Sequence, residues 1–164
     1  MAAFTIRSAA PADADFLADM LVEAVNWEPH RNLSREEIMA DQRLAHYVSG
    51  WMRSDDVGVV AVASTGLPIG AAWLRYRPAT DPGYGYVRDD VPELSMGVVK
   101  SWRGQGVGRA LLRSVLATAR AAGVPAVSLS VERANFAARL YEAVGFRTVE
   151  SFDRSDTMLA DLEA

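Results

Sequence analysis

Apolar and polar positions alternate along this chain in a way that sorts it into short strands and amphipathic helices. Phe4 to Ser8 reads as a first strand. Pro11 suits the first turn of a helix, with Asp13 and Asp15 near its positive end. Phe16, Leu17, Met20, Leu21, Ala24 and Val25 then fall on one stripe, with Asp15, Asp19 and Glu23 off it, so this helix packs on a sheet face and its acids form a solvated face. Asn26 to Leu33 is irregular. Ser34-Arg35-Glu36-Glu37 is a capping box, and Leu33 with Ile38 is placed for a hydrophobic staple. The pattern predicts one helix from there to about Ser49, ended by Gly50, with a thin stripe (Ile38, Ala45, Val48, Met52) that suggests looser packing and a segment able to move.

Val57 to Ser64 is nearly all apolar and reads as a strand buried on both faces. Thr65-Gly66 turns the chain into an antiparallel partner, Leu67 to Arg77. Pro78 to Pro92 is a long connection that carries Tyr84, Tyr86, Asp81, Asp89 and Asp90. It reads either as a lid that meets a cationic acceptor through its acids or as a solvated irregular loop. Glu93 to Val99 is the next strand. Leu111, Leu112, Val115, Leu116 and Ala119 mark a helix from about Gly106 to Ala122, closed by Gly123 and Pro125. Val127 to Val131 is a strand, and Asn135 to Val144 a helix ended by Gly145. Arg147 to Asp153 and Thr157 to Leu162 are two closing strands. The order implies a mixed α/β chain with one βαβ crossover.

Composition narrows this picture. A length of 164 residues predicts one domain, residues 1–164, and half of the residues are hydrophobic. A net charge of −4 argues against a general nucleic-acid-binding face. With no cysteine there is no disulfide framework, thiolate metal site or cysteine nucleophile, and no metal is expected. No apolar run approaches membrane-spanning length and Met1 to Ser8 has no export-signal pattern, so the expected location is the cytoplasm, away from membranes.

The chemistry gathers at Arg103-Gly104-Gln105-Gly106-Val107-Gly108, between an apolar strand and an amphipathic helix. A glycine-rich turn there offers backbone N–H groups without intrahelical partners, at the positive end of the helix dipole. That makes a phosphate cradle, with Arg103 and Arg109 adding charge. The P-loop string is absent. The dinucleotide fingerprint fails because Arg109 stands where the third glycine should be and no acid follows at the right distance. Arg103-x-x-Gly106-x-Gly108 fits a third pattern, Arg/Gln-x-x-Gly-x-Gly/Ala. At this point the chain resembles the GNAT superfamily of N-acetyltransferases, whose corresponding loop holds the pyrophosphate of acetyl-coenzyme A. A second signature supports the resemblance: Asn135, then Ala137-x-x-x-Tyr141, then Gly145-Phe146.

The resemblance implies a largely antiparallel sheet with a central, splayed parallel strand pair flanked by helices. It implies acetyl-CoA as cosubstrate, bound by Arg103, Gly104, Gln105, Gly106, Val107, Gly108 and Arg109 at its pyrophosphate and by Val98, Val99 and Asn135 along its pantetheine arm. Asn135 is also suited to cap the following helix. A bulge in the strand before the loop is implied as well. Tyr141 takes the role of proton donor to the leaving thiolate, with core packing as its plainer reading. Glu93 lies about six residues before Val99, roughly 20 Å at strand rise, toward the thiol end of the arm. It matches a general-base glutamate of one branch of the superfamily if one residue is dropped from the strand-to-loop link. Otherwise it is a surface acid at a strand start. His30, Asp89 and Asp90 are competing bases, and Trp27 with His30 either line the acceptor site or are packing and exposed loop residues. Ser128 and Ser130 face one side of the neighbouring strand. The expected function is acetyl transfer to a primary amine of a small molecule or peptide by direct attack in a ternary complex. The acids of the 78–92 loop lean toward a cationic acceptor. A non-catalytic coenzyme A sensor is the alternative, another phosphate ligand a third reading, and pairing into a homodimer is open.

Overall fold

A computed structural model of the chain describes residues 3–163. Seven strands form one sheet in the order β1-β2-β3-β4-β5-β7-β6. They are β1 (Phe4–Ser8), β2 (Val57–Ala63), β3 (Pro68–Arg75), β4 (Glu93–Val98), β5 (Ala126–Glu132), β6 (Arg147–Ser151) and β7 (Ser155–Asp161). Every pairing is antiparallel except β4 with β5, which are joined by the long helix α4 (Val107–Ala121). The remaining helices are α1 (Ala14–Val25), α2 (Arg35–Ala40), α3 (Gln42–Ala45) and α5 (Ala137–Ala143). The expected fold class is the one observed. Among the described residues no helix is long and apolar enough to cross a membrane.

Two apolar layers sandwich the sheet. On one face Leu111, Leu112, Val115 and Ala119 of α4 pack with Val59, Ala72, Leu94, Val127 and Leu129. On the other, Leu17, Met20 and Leu21 of α1 pack with Ile38, Tyr47, Val48, Val60 and Trp73. Burying that many Leu and Val side chains, at about 1.5–3 kcal/mol each, fixes the strands that frame the site.

The parallel pair is the feature that matters. β4 and β5 share a single register position, Glu93 opposite Ser128, anchored by the Ser128 N–H on the Pro92 carbonyl at 3.0 Å. Beyond it they splay. On its other edge β4 is fully laddered to β3, from Arg75 opposite Glu93 to Gly70 opposite Val98. That register is unbroken, so the expected bulge in this strand is not there and simple alternation holds. The Val99 N–H donates to Ile69 O at 2.8 Å. Alternation from there turns the N–H groups of Met96 and Val98 away from β3, into the splay.

The second helical segment differs from expectation. Instead of one helix to Ser49, α2 stops at Asp41, whose backbone is extended and whose side chain accepts from the Arg43 N–H at 3.0 Å to start α3. A short acid that caps a new turn competes with helix continuation. The carbonyls that follow are claimed by β3: Trp73 Nε1 donates to Tyr47 O, and the Arg75 guanidinium to His46 O and Ser49 O. The predicted capping box is present, with Ser34 and Glu37 exchanging bonds at 3.0 Å.

Candidate active site

The splay opens into a cavity of about 1010 Å³ that runs from the glycine loop to Glu93. At the loop end, the backbone N–H groups from Gly104 through Arg109 have no backbone acceptor among the described residues. Gly104 and Gly106 sit at φ +75° and +85°, left-handed values that turn these amides outward together at the start of α4. Unpaired amides on a helix N-terminus suit a diphosphate. Arg103 is turned aside, with Nη2 on Glu23 Oε2 at 2.8 Å and Nε on the Val98 carbonyl at 3.2 Å. Both charged groups of that pair are well exposed, so little holds it against a competing anion.

Most expected cofactor residues line this cavity: Val98, Arg103, Gly104, Gly106, Val107, Gly108, Arg109 and Asn135. Two do not. Val99 lies outside the lining and spends its N–H on Ile69, because its position in the alternation faces β3. Gln105 folds its amide back onto Ser101 O at 3.2 Å, which leaves only its backbone for a ligand. Asn135 Oδ1 accepts from the Ala137 N–H at 2.9 Å at the start of α5, and its Nδ2 is free to donate. Ser130 lines the cavity, whereas Ser128 is fully buried with its hydroxyl unpartnered.

At the other end stands Glu93, only 4 % exposed. Its Oε2 accepts from the Tyr47 hydroxyl at 2.6 Å and the Gly85 N–H at 3.1 Å. Its Oε1 is buried with no partner. Burial raises the carboxyl to about 7, and the Tyr47 bond, the Gly85 N–H and the Arg77 charge hold it from going higher. Tyr47 in turn accepts from the Tyr84 N–H at 2.8 Å. The 78–92 loop is thereby docked on Glu93. Gly83 makes the approach possible: a Cβ there would lie 1.9 Å from Glu93 Oε1.

Tyr141 lies on the lining at the start of the splay's far wall, 8 % exposed, edge-on to Phe146 at 5.8 Å. Burial pushes its phenol up to about 12, so it keeps its proton at any working pH. Glu93 and Tyr141 therefore line one cavity.

Other candidates fall away. His30 is exposed and off the lining, whereas Trp27 is on it. Trp27 Nε1 and the Arg31 guanidinium both bind Glu132 at the end of β5, with Arg31 bidentate at 2.7 and 2.9 Å. This clamp, with Asn26 pinning Leu33 at both its N–H and its carbonyl, holds the α1–α2 connection against the site. The loop acids do not reach the cavity. Asp81 is taken by Arg77 and His46, Asp89 by the Tyr86 hydroxyl, and Asp90 by Arg88. Among the described residues no cluster of three His, Asp or Glu side chains is placed to hold a metal ion.

A profile of the Acetyltransferase (GNAT) family matches residues 20–146. The chain belongs to the GNAT family. A mycothiol acetyltransferase of Jonesia denitrificans is 30% identical over 142 residues, which cover 85% of this chain and 41% of that protein. The chain thus spans about two fifths of that curated relative. A Salmonella typhimurium structure solved with its cofactor acetyl-CoA superposes with a TM-score of 0.70 at 24% identity, covering 99% of this chain and 95% of that one. The PaiA N-acetyltransferase of Thermoplasma acidophilum, in complex with coenzyme A, gives 0.65 at 16% identity over 97% and 99%. GNAT membership accounts for the splay and the glycine loop. It says nothing of Tyr47, Gly83 or Glu132, which sequence reasoning did not place at the site, or of Tyr84, which that reasoning named only within a candidate lid. The Gly83-Tyr84-Gly85-Tyr86 run was the available signal, since glycines alternating with aromatics mark close backbone approach.

Proposed function

We propose that residues 1–164 form one catalytic domain that transfers the acetyl group of acetyl-CoA to a primary amine, by direct attack with both substrates bound. The observation that carries this reading is the unpartnered, buried Oε1 of Glu93, at the opposite end of the same cavity from the unpaired Gly104–Arg109 amides. Acetyl-CoA supplies a reactive thioester. The Gly104–Arg109 amides and the Arg109 side chain bind its diphosphate, and Val98 N–H and Asn135 Nδ2 hold the arm in the splay. The Met96 N–H, turned from β3, is the donor placed to stabilise negative charge on the carbonyl oxygen. Glu93 Oε1 takes the amine's proton. A carboxyl near 7 is half ionised at neutral pH and still basic enough for the task. Tyr141 donates from its hydroxyl to the departing sulfur. Every one of these groups comes from a single chain.

Release of free thiol from acetyl-CoA in the presence of an amine panel tests this. Turnover that depends on the amine is expected, and Tyr141→Phe should lower kcat by about 10²-fold while cofactor affinity changes little. Tight binding of acetyl-CoA with no release for any amine would instead make the protein a coenzyme A sensor.

A further inference from the structure

The acceptor's chemical class follows from what surrounds Glu93 Oε1, given the acetyl-transfer reading above. The side chains that lead to it from the α1–α2 side are apolar. Leu21, Val25, Leu33 and Leu44 all line the cavity and all pack with Tyr47 in one cluster. Trp27 and Tyr84 add flat ring faces to the same lining.

Apart from Glu93, the carboxylates on this lining are already paired. Glu132 gives both oxygens to Arg31 and one of them also to Trp27. Glu23 is held by Arg103 at the loop end. Asp81, Asp89 and Asp90 are off the lining. Arg154, on the same rim as Glu132, adds a positive charge there that opposes a second cation. Glu23 stands by Arg103 at the loop end, so Glu93 is the one carboxylate at the far end of the lining with a free, buried oxygen, and it is needed for the reacting nitrogen.

An acceptor with a second ammonium, or with a ring of hydroxyls, loses its hydration against Leu and Val and meets no acid or dense set of hydrogen-bonding groups in return. Ring faces alone do not replace that hydration. We infer that the acceptor is a primary monoamine on an apolar body, such as an arylalkyl- or alkylamine, and not a polyamine or an amino sugar. The amine enters between Tyr84 and the Leu33–Leu44 wall and presents its nitrogen to Glu93.

The test measures thiol release from acetyl-CoA with 2-phenylethylamine, spermidine and glucosamine as probes. The expected result is a kcat/KM for 2-phenylethylamine at least about tenfold above the other two. Spermidine or glucosamine equal or better overturns the inference and leaves acetyl transfer standing. Release with none of the three, beside measurable acetyl-CoA binding, overturns both. A second arm places an acid in the wall. Leu44→Asp, or Leu33→Asp if the first does not fold, should move the spermidine to 2-phenylethylamine ratio up by about tenfold, as one ion pair forms with the second ammonium. An unchanged ratio in a variant that still binds acetyl-CoA shows that the wall does not face the acceptor and overturns the assignment.

Discussion

Removing one hydroxyl at Tyr47 should move the pH dependence of the enzyme. The Tyr47 O–H donates to Glu93 Oε2 at 2.6 Å in a site where both residues are buried. A hydrogen bond to a charged group contributes about 1.5–3 kcal/mol. At 1.36 kcal/mol per pKa unit, Tyr47→Phe should raise Glu93 by about 1–2 units above its starting value. That start is about 7, so the ionised fraction at pH 7 falls from about a half to between a tenth and a hundredth. The assay is kcat/KM for acetyl-CoA and one fixed amine, from pH 6 to 10, for both proteins. Ionisation of the amine is common to both and cancels in the ratio of variant to wild type. The ratio should be about 5–50-fold down at pH 7 and climb toward a plateau by about pH 10. The plateau itself need not reach one, because the Tyr84 N–H also loses its acceptor and the loop loosens equally at all pH values. A ratio that stays flat across the range would refute the reasoning: Glu93 would then not be the base, or Tyr47 would not tune it.

Three further outcomes follow from the same geometry. Gly83→Ala should cut turnover by about 10²-fold with acetyl-CoA binding retained, since its Cβ would lie 1.9 Å from Glu93 Oε1 and the carboxyl must move; kcat beside calorimetric cofactor binding checks it. Gly106→Ala forces a Cβ into φ +85°, at a cost of about 1–2 kcal/mol, and should weaken acetyl-CoA binding by roughly tenfold as the amide cradle relaxes. Glu93→Gln should abolish amine-dependent turnover yet stabilise the fold at pH 8. The folded carboxyl releases its proton only near 7 against 4.5 when exposed, so the wild-type fold is favoured below 4.5 and loses that advantage as pH rises through 7. The gain at pH 8 is at most about 3 kcal/mol and shrinks by pH 5.5, which denaturant midpoints at the two pH values will show.

The cofactor side of the site was legible because it is local. Strand, glycine turn and amphipathic helix are consecutive, and the motif residues Arg103 to Arg109 build their own cradle from backbone amides. Tyr141 was singled out by the resemblance, whose second signature lies within one short helix and its Gly145 stop. The acceptor side was less legible because it is assembled from far apart. Tyr47 reaches Glu93 across 46 residues, and Glu132 reaches Arg31 across 101. Nothing in a short window around Tyr47 marks it. The helix expected to run to Ser49 breaks at Asp41, which caps a new turn, and beyond it Trp73 and Arg75, on another element, take the carbonyls of residues 46, 47 and 49. The loop acids left two readings open, a cation-meeting lid or a solvated loop, for the same reason: their pairing with Arg77, Arg88 and His46 is tertiary or turn geometry that composition does not show.

A crystal structure of the protein with coenzyme A tests the central claim most directly. The account predicts the diphosphate on the Gly104–Arg109 amides, the arm between β4 and β5, and the sulfur within hydrogen-bond reach of the Tyr141 hydroxyl, about 3.0–3.5 Å away, with Glu93 at the end of the cavity beyond it. A coenzyme bound with the splay empty, or with its sulfur on the side away from Tyr141 and Glu93, would contradict it.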